Sequence, residues 1–183
     1  DRAWEREPES PAILALRQEL ATRALIKENY PLACAQLEIL EEQEPDVFTD
    51  KHVWLNNYAW ALFMGYPDDD ERRARGLERI RAALAIKEDN PVYLNTLAWG
   101  LLADEDPHGA LAAIEKAMLE NDGRHLGDDI YIYVASLHGV GRVDEAVETY
   151  REAVAEYPDG VLRREVGKLL ARELGLVDDD EPR

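Results

Sequence analysis

The chain has 183 residues and a formal net charge of −18, from 21 basic and 39 acidic side chains. A surface this acidic repels phosphate backbones and attracts basic protein segments, so nucleic acid is excluded as the expected partner. No stretch reaches the roughly 18 apolar residues of a membrane span, and a single cysteine, Cys34, excludes an internal disulfide.

In chain order, residues 1–13 form a charged, Glu-rich segment in which Trp4 is the exception. Residues 14–47 place Leu20, Ala21 and Ala24 on one helix and Ala33, Leu37 and Pro45 on and after the next. Residues 52–90 give Leu55, Tyr58, Ala59 and Leu62, then Gly76, Ile80 and Ala83. Residues 91–124 give Leu94, Leu97, Ala98 and Leu101, then Ala110, Ile114 and Ala117. Asp106 and Pro107 open the second helix of that unit as an N-cap followed by proline at the first helical position. Residues 127–160 carry the clearest copy: Ile130, Tyr133, Val134 and Leu137, then Ala146, Tyr150, Ala153 and Pro158. Residues 161–175 read as a capping helix with Leu162, Val166, Leu169 and Leu170 on one face, ended by Gly175. Residues 176–183 are an acidic tail expected to be disordered.

The four units share one spacing of large, small and aromatic positions. Leu55-Asn56-Asn57-Tyr58-Ala59-Trp60-Ala61-Leu62 and Leu94-Asn95-Thr96-Leu97-Ala98-Trp99-Gly100-Leu101 further match at Leu, Asn, Ala, Trp and Leu. The small residues let two antiparallel helices approach closely. The second unit has five extra residues between Leu62 and Gly76, around Pro67, and Arg17 of the first unit occupies a large-apolar position. The pattern resembles the tetratricopeptide repeat over roughly residues 12–175. The resemblance implies an all-α protein of nine helices. They form a right-handed α-solenoid of about four antiparallel helix pairs, plus the capping helix.

The residues offer no chemistry. His52, His108, His125 and His138 have no metal-ligand spacing. Gly139-Val140-Gly141 is a turn, and neither Ser10 nor Ser136 stands in a nucleophile elbow. Asp68-Asp69-Asp70-Glu71 reads as a loop ending in a helix N-cap. Cys34 reads as a buried structural thiol. No catalytic group, cofactor or metal is expected. The stripes Arg72, Arg75, Arg79 and Arg164, Lys168, Arg172 read as solvated faces balanced by nearby acids such as Glu71, Glu78 and Glu165.

The resemblance places the binding surface on the first helix of each repeat, along a concave groove. Its fifth positions are Gln18, Asn56, Asn95 and Tyr131, and its ninth are Thr22, Trp60, Trp99 and Ala135. Phe63 and Met64 extend the floor beside Trp60 and Trp99, and Tyr131 and His138 close the far end. Asn56, Trp60, Phe63, Asn95, Trp99, Tyr131 and His138 are therefore the expected partner-binding residues. Amides would hold a peptide backbone and aromatics would anchor apolar side chains. The groove lacks the basic residues of co-chaperones that grip an acidic C-terminus. A non-enzymatic adaptor for a protein or peptide partner of basic character follows. The alternatives are a self-assembling scaffold subunit, which makes a homo-oligomer, or a chaperone for a secreted protein. An excess of Arg over Lys fits a GC-rich bacterial genome. A cytoplasmic location is expected, and the start at Asp1 leaves room for a removed export or anchoring segment.

Overall fold

The computed structural model describes residues 10–43, 50–121, 129–156 and 165–176. Among them lie nine α-helices and no strand. The chain divides into two compact units, residues 1–86 and 87–183.

The first unit holds α1 (Pro11–Ile26), α2 (Tyr30–Gln43), α3 (Lys51–Gly65) and α4 (Asp70–Ile86). α1 packs on α2, α2 on α3 and α3 on α4. Its core is built from small residues, with Ala21, Ala24, Ala33, Cys34 and Ala61 among Leu37, Tyr58 and Leu62. Trp54, Tyr30 and Tyr66 close its rim. Burial pushes the Cys34 thiol up to about 12, because an apolar site disfavours the thiolate.

The second unit holds α5 (Pro91–Ala103), α6 (Pro107–Glu120), α7 (Asp129–Gly139), α8 (Val143–Glu156) and α9 (Glu165–Glu173). α5 packs on α6, α6 on α7 and α7 on α8, and α5 also reaches α7. Ala98, Ala110 and Ala117 are fully buried, as are Ile114, Ile132, Val134 and Leu137.

One turn recurs at the ends of α1, α5, α7 and α9. The amides of Asn29, Asp106, Arg142 and Leu176 donate to the carbonyls of Ala24, Leu101, Leu137 and Ala171 at 2.8–2.9 Å. A residue of positive φ precedes each donor: Glu28, Glu105, Gly141 and Gly175. This left-handed residue and its 6→1 bond satisfy carbonyls that a helix end leaves open. The next helix then starts at once, capped by Asn29 in α2 and by Asp106 in α6, whose carboxylate accepts from Gly109 N–H at 2.9 Å.

α3 is the exception, and the five extra residues explain it. Its cap, Tyr66, has φ −145 and donates to Leu62. The chain runs on to Asp69, which accepts from Arg72 N–H at 3.0 Å and caps α4. Most of the insertion lengthens α4, which has 17 residues where α6 and α8 have 14.

Trp4, Pro45, His125, Pro158, Leu162, Arg164 and the 176–183 tail beyond Leu176 lie outside the described residues, as does the side chain of Val166.

Candidate functional site

The second unit gathers three of the expected binding residues. Asn95 and Trp99 stand one turn apart on α5, and Tyr131 faces them from α7. The Trp99 and Tyr131 ring centroids are 5.7 Å apart and their planes are inclined by 39°, within the range of a favourable aromatic pair. Both rings are partly buried and keep some surface in solvent. Burial, and then the negative charge of Glu173 on α9, raises the Tyr131 phenol above its ordinary value.

Asn95 is committed within the protein, since its Nδ2 donates to Oδ1 of Asp129 at the start of α7. Asp129 is only 1% exposed, so the bond meets a carboxylate withdrawn from water. The amide thereby links the first helices of successive repeats. His138 is partly exposed in the last turn of α7, two turns along from Tyr131.

In the first unit the same positions take different roles. Trp60 is partly exposed. Asn56 is buried and its Oδ1 finds no hydrogen-bond partner; its Nδ2 reaches only the neighbouring Asn57 Oδ1, at 3.5 Å. Asn56 and Asn95 are thus equivalent in register but not in bonding. Phe63 departs from its expected place on an exposed floor. It is 4% exposed and its ring fills the space above Gly76 of α4. A glycine in that facing turn is what draws the ring inward, and only Met64 beside it stays partly exposed.

The arginines of α4 are paired, some with acids near them in sequence, as Arg72 is with Asp69 and Arg79 with Glu78, and some with acids of α2. Arg75 meets Glu38 at 2.6 Å and Glu41 at 3.2 Å, and Arg79 meets Glu41 at 2.7 Å. These bonds tie α4 to α2. Arg72 lies 3.5 Å above the Tyr66 ring, a cation–π arrangement. Among the described residues, no group of three or more His, Cys, Asp or Glu is placed to hold a metal ion, and no helix is long and apolar enough to cross a membrane.

Sequence reasoning missed Asp129 and Glu173. Asp129 reads as an ordinary first-turn acid, and only the packing of α5 against α7 makes it a buried acceptor.

No protein-family model and no curated protein matches the chain. Solved structures do. A mutant of MamA has 17% identity and a TM-score of 0.63, with 90% of each chain covered. A MamA chain from Desulfovibrio magneticus RS-1 has 14% identity and a TM-score of 0.61, with 88% of this chain and 91% of that chain covered. The TPR-like repeats of a putative kinesin light chain from Podosopora anserina have 18% identity and a TM-score of 0.60, over 92% and 86%. At these identities the likeness is one of fold. In that fold the chain is similar to tetratricopeptide-type proteins, all-α and built from helix pairs.

Proposed function

We propose that the chain is a non-enzymatic adaptor that holds a segment of a protein partner. In the second unit the segment lies on the face of α5 and α7 that carries Asn95, Trp99 and Tyr131. In the first it lies on the face of α3 that carries Trp60 and Asn56. The observation that supports this most is the Trp99–Tyr131 pair, two aromatic rings 5.7 Å apart that both retain solvent-facing surface. Rigid aromatic side chains lose little conformational entropy on binding and dominate binding energetics where they are partly buried in advance. Repeat folds of this kind present extended surfaces of that sort. A net charge of −18 adds attraction for basic residues flanking the held segment and speeds its approach. No cofactor, metal or catalytic group enters this reading.

Affinity capture from the source cell tests it, with three baits side by side: wild type, Trp99→Ala/Tyr131→Ala, and Asn56→Ala/Trp60→Ala. Circular dichroism checks that helix content is unchanged. A protein held by wild type and lost by the folded Trp99→Ala/Tyr131→Ala variant supports the α5–α7 face. Equal recovery on all three baits overturns the site, and a purified partner then gives its affinity for each variant.

A further inference from the structure

α1 carries an apolar face that no helix covers among the described residues. Ile13, Leu16 and Leu20 are 45%, 68% and 41% exposed. Together with Arg23 and Lys27 they recur at alternating three- and four-residue steps, the spacing of one continuous helix seam. The other side of α1, with Leu14, Ala21 and Ala24, is buried.

Elsewhere in the chain the same register receives a helix. Ala24 and Ala171 accept the closing 6→1 bonds of α1 and α9, and Leu62 holds the same place in α3 by the repeat spacing that aligns Gln18 with Asn56 and Thr22 with Trp60. Counted from them, Leu16, Leu20 and Arg23 stand where α3 has Trp54, Tyr58 and Ala61. Those three pack with Ala33, Cys34 and Leu37 of α2. At the next position of the seam, where α1 has Lys27, Gly65 lies against Tyr30 at the start of α2. In α9 the matching residues Gly167, Leu170 and Leu174 are buried, and the Gly167 carbonyl accepts from the Tyr150 hydroxyl of α8 at 3.4 Å. This side of a first helix is thus where the preceding second helix lies. Of these three helices only α1 leaves it uncovered among the described residues, and the face is apolar.

Its charge sets the face apart from the rest of the chain. From Pro11 to Glu28 there are three basic residues, Arg17, Arg23 and Lys27, against two acids, Glu19 and Glu28, a local excess of positive charge within a chain of net charge −18. Arg17 is turned to Gln36 of α2 at 2.7 Å, which leaves Arg23 and Lys27 as the cations of the seam. Arg23 meets Glu19 at 2.7 Å, both well exposed, and such a surface pair exchanges partners at little cost. Screening over about 8 Å at physiological salt leaves the charges of this face, and not the net charge of the whole chain, to decide what it attracts.

From this juxtaposition we infer that α1 is a docking face for an amphipathic helix of a protein partner. The partner helix presents apolar residues to Ile13, Leu16 and Leu20 and carboxylates to Arg23 and Lys27. It occupies against α1 the place that α2 occupies against α3. This surface does not involve Trp60, Trp99 or Tyr131 and stands or falls independently of them.

The test uses two synthetic peptides, each four helical turns long with a leucine stripe, one carrying Glu beside the stripe and its twin carrying Lys. Both are titrated into the full chain and followed by fluorescence anisotropy. Wild type binds the Glu peptide saturably and prefers it to the Lys peptide, against the sign of the whole chain. Arg23→Glu/Lys27→Glu weakens the Glu peptide by about tenfold or more and strengthens the Lys peptide. Leu16→Glu/Leu20→Glu loses both peptides with unchanged circular dichroism. Absence of saturable binding, equal binding of the two peptides, or indifference to the variants overturns the inference. So does a mass that rises with concentration in light scattering and falls to the monomer in Leu16→Glu/Leu20→Glu, because a second copy then covers the face.

Discussion

A methyl group on Gly76 would stand 2.5 Å from Cε1 of Phe63, well inside carbon–carbon contact distance. The ring is buried, so it must shift within a packed site to make room. Gly76→Ala gains about 1 kcal/mol of helix propensity but overpacks the site by about 1–3 kcal/mol. The expected outcome is a net loss, read as a lower urea midpoint. Adding Phe63→Leu to Gly76→Ala recovers part of it, and a double-mutant cycle isolates the coupling.

Asn56 and Asn95 give opposite outcomes under one substitution. Asn95→Leu takes the amide donor from the buried Asp129 carboxylate, a bond to a charged group worth about 1.5–3 kcal/mol. Asn56→Leu removes a buried oxygen that has no partner and keeps the branched shape of the side chain. Chemical denaturation should show a clear drop for the first and no drop, or a rise, for the second. Equal losses would refute the difference in bonding.

Ser136 is fully buried on α7, and its Oγ makes no hydrogen bond. Ser136→Ala keeps the small size and discards a desolvated hydroxyl. A stability gain of about 1 kcal/mol is expected, measured as a higher denaturation midpoint.

Alkali should destabilise the first unit through Cys34. Burial raises its folded pKa from 9.0 to about 12, so the unfolded chain releases the proton first and binds fewer protons than the native one. Stability is therefore full below about pH 9 and falls as pH rises toward about 12. Burial acts in the same direction on Tyr58. Denaturation midpoints at about pH 8, 9, 10 and 11 should decline, and less steeply in Cys34→Ala. A thiol reagent should leave the native chain untouched at neutral pH and react fully in urea.

The repeat spacing, the small core residues and the Asp106–Pro107 helix start were legible because each is local: period, size and capping chemistry lie along a few residues. The aromatic pair of Trp99 and Tyr131 was legible as positions within a repeat. The burial of Phe63 was not, because it depends on a glycine across the helix pair. Nor was the engagement of Asn95 by Asp129, where two helices from different repeats must meet before an ordinary first-turn acid becomes a buried acceptor. Arg75 and Arg79 have acidic neighbours in sequence, yet Arg75 and much of Arg79 pair with Glu38 and Glu41, a choice made only when α4 lies beside α2.

The closing turns hold two glutamates, Glu28 at φ 55 and Glu105 at φ 58, in a conformation that glycine adopts freely and other residues adopt at a cost. The turns after α7 and α9 use glycine in the same place. Half of this set thus carries backbone strain that one familiar replacement would relieve, while each glutamate contributes a negative charge at the rim of its repeat. The chain sits below the stability its own architecture permits, and that headroom is located at two addressable residues.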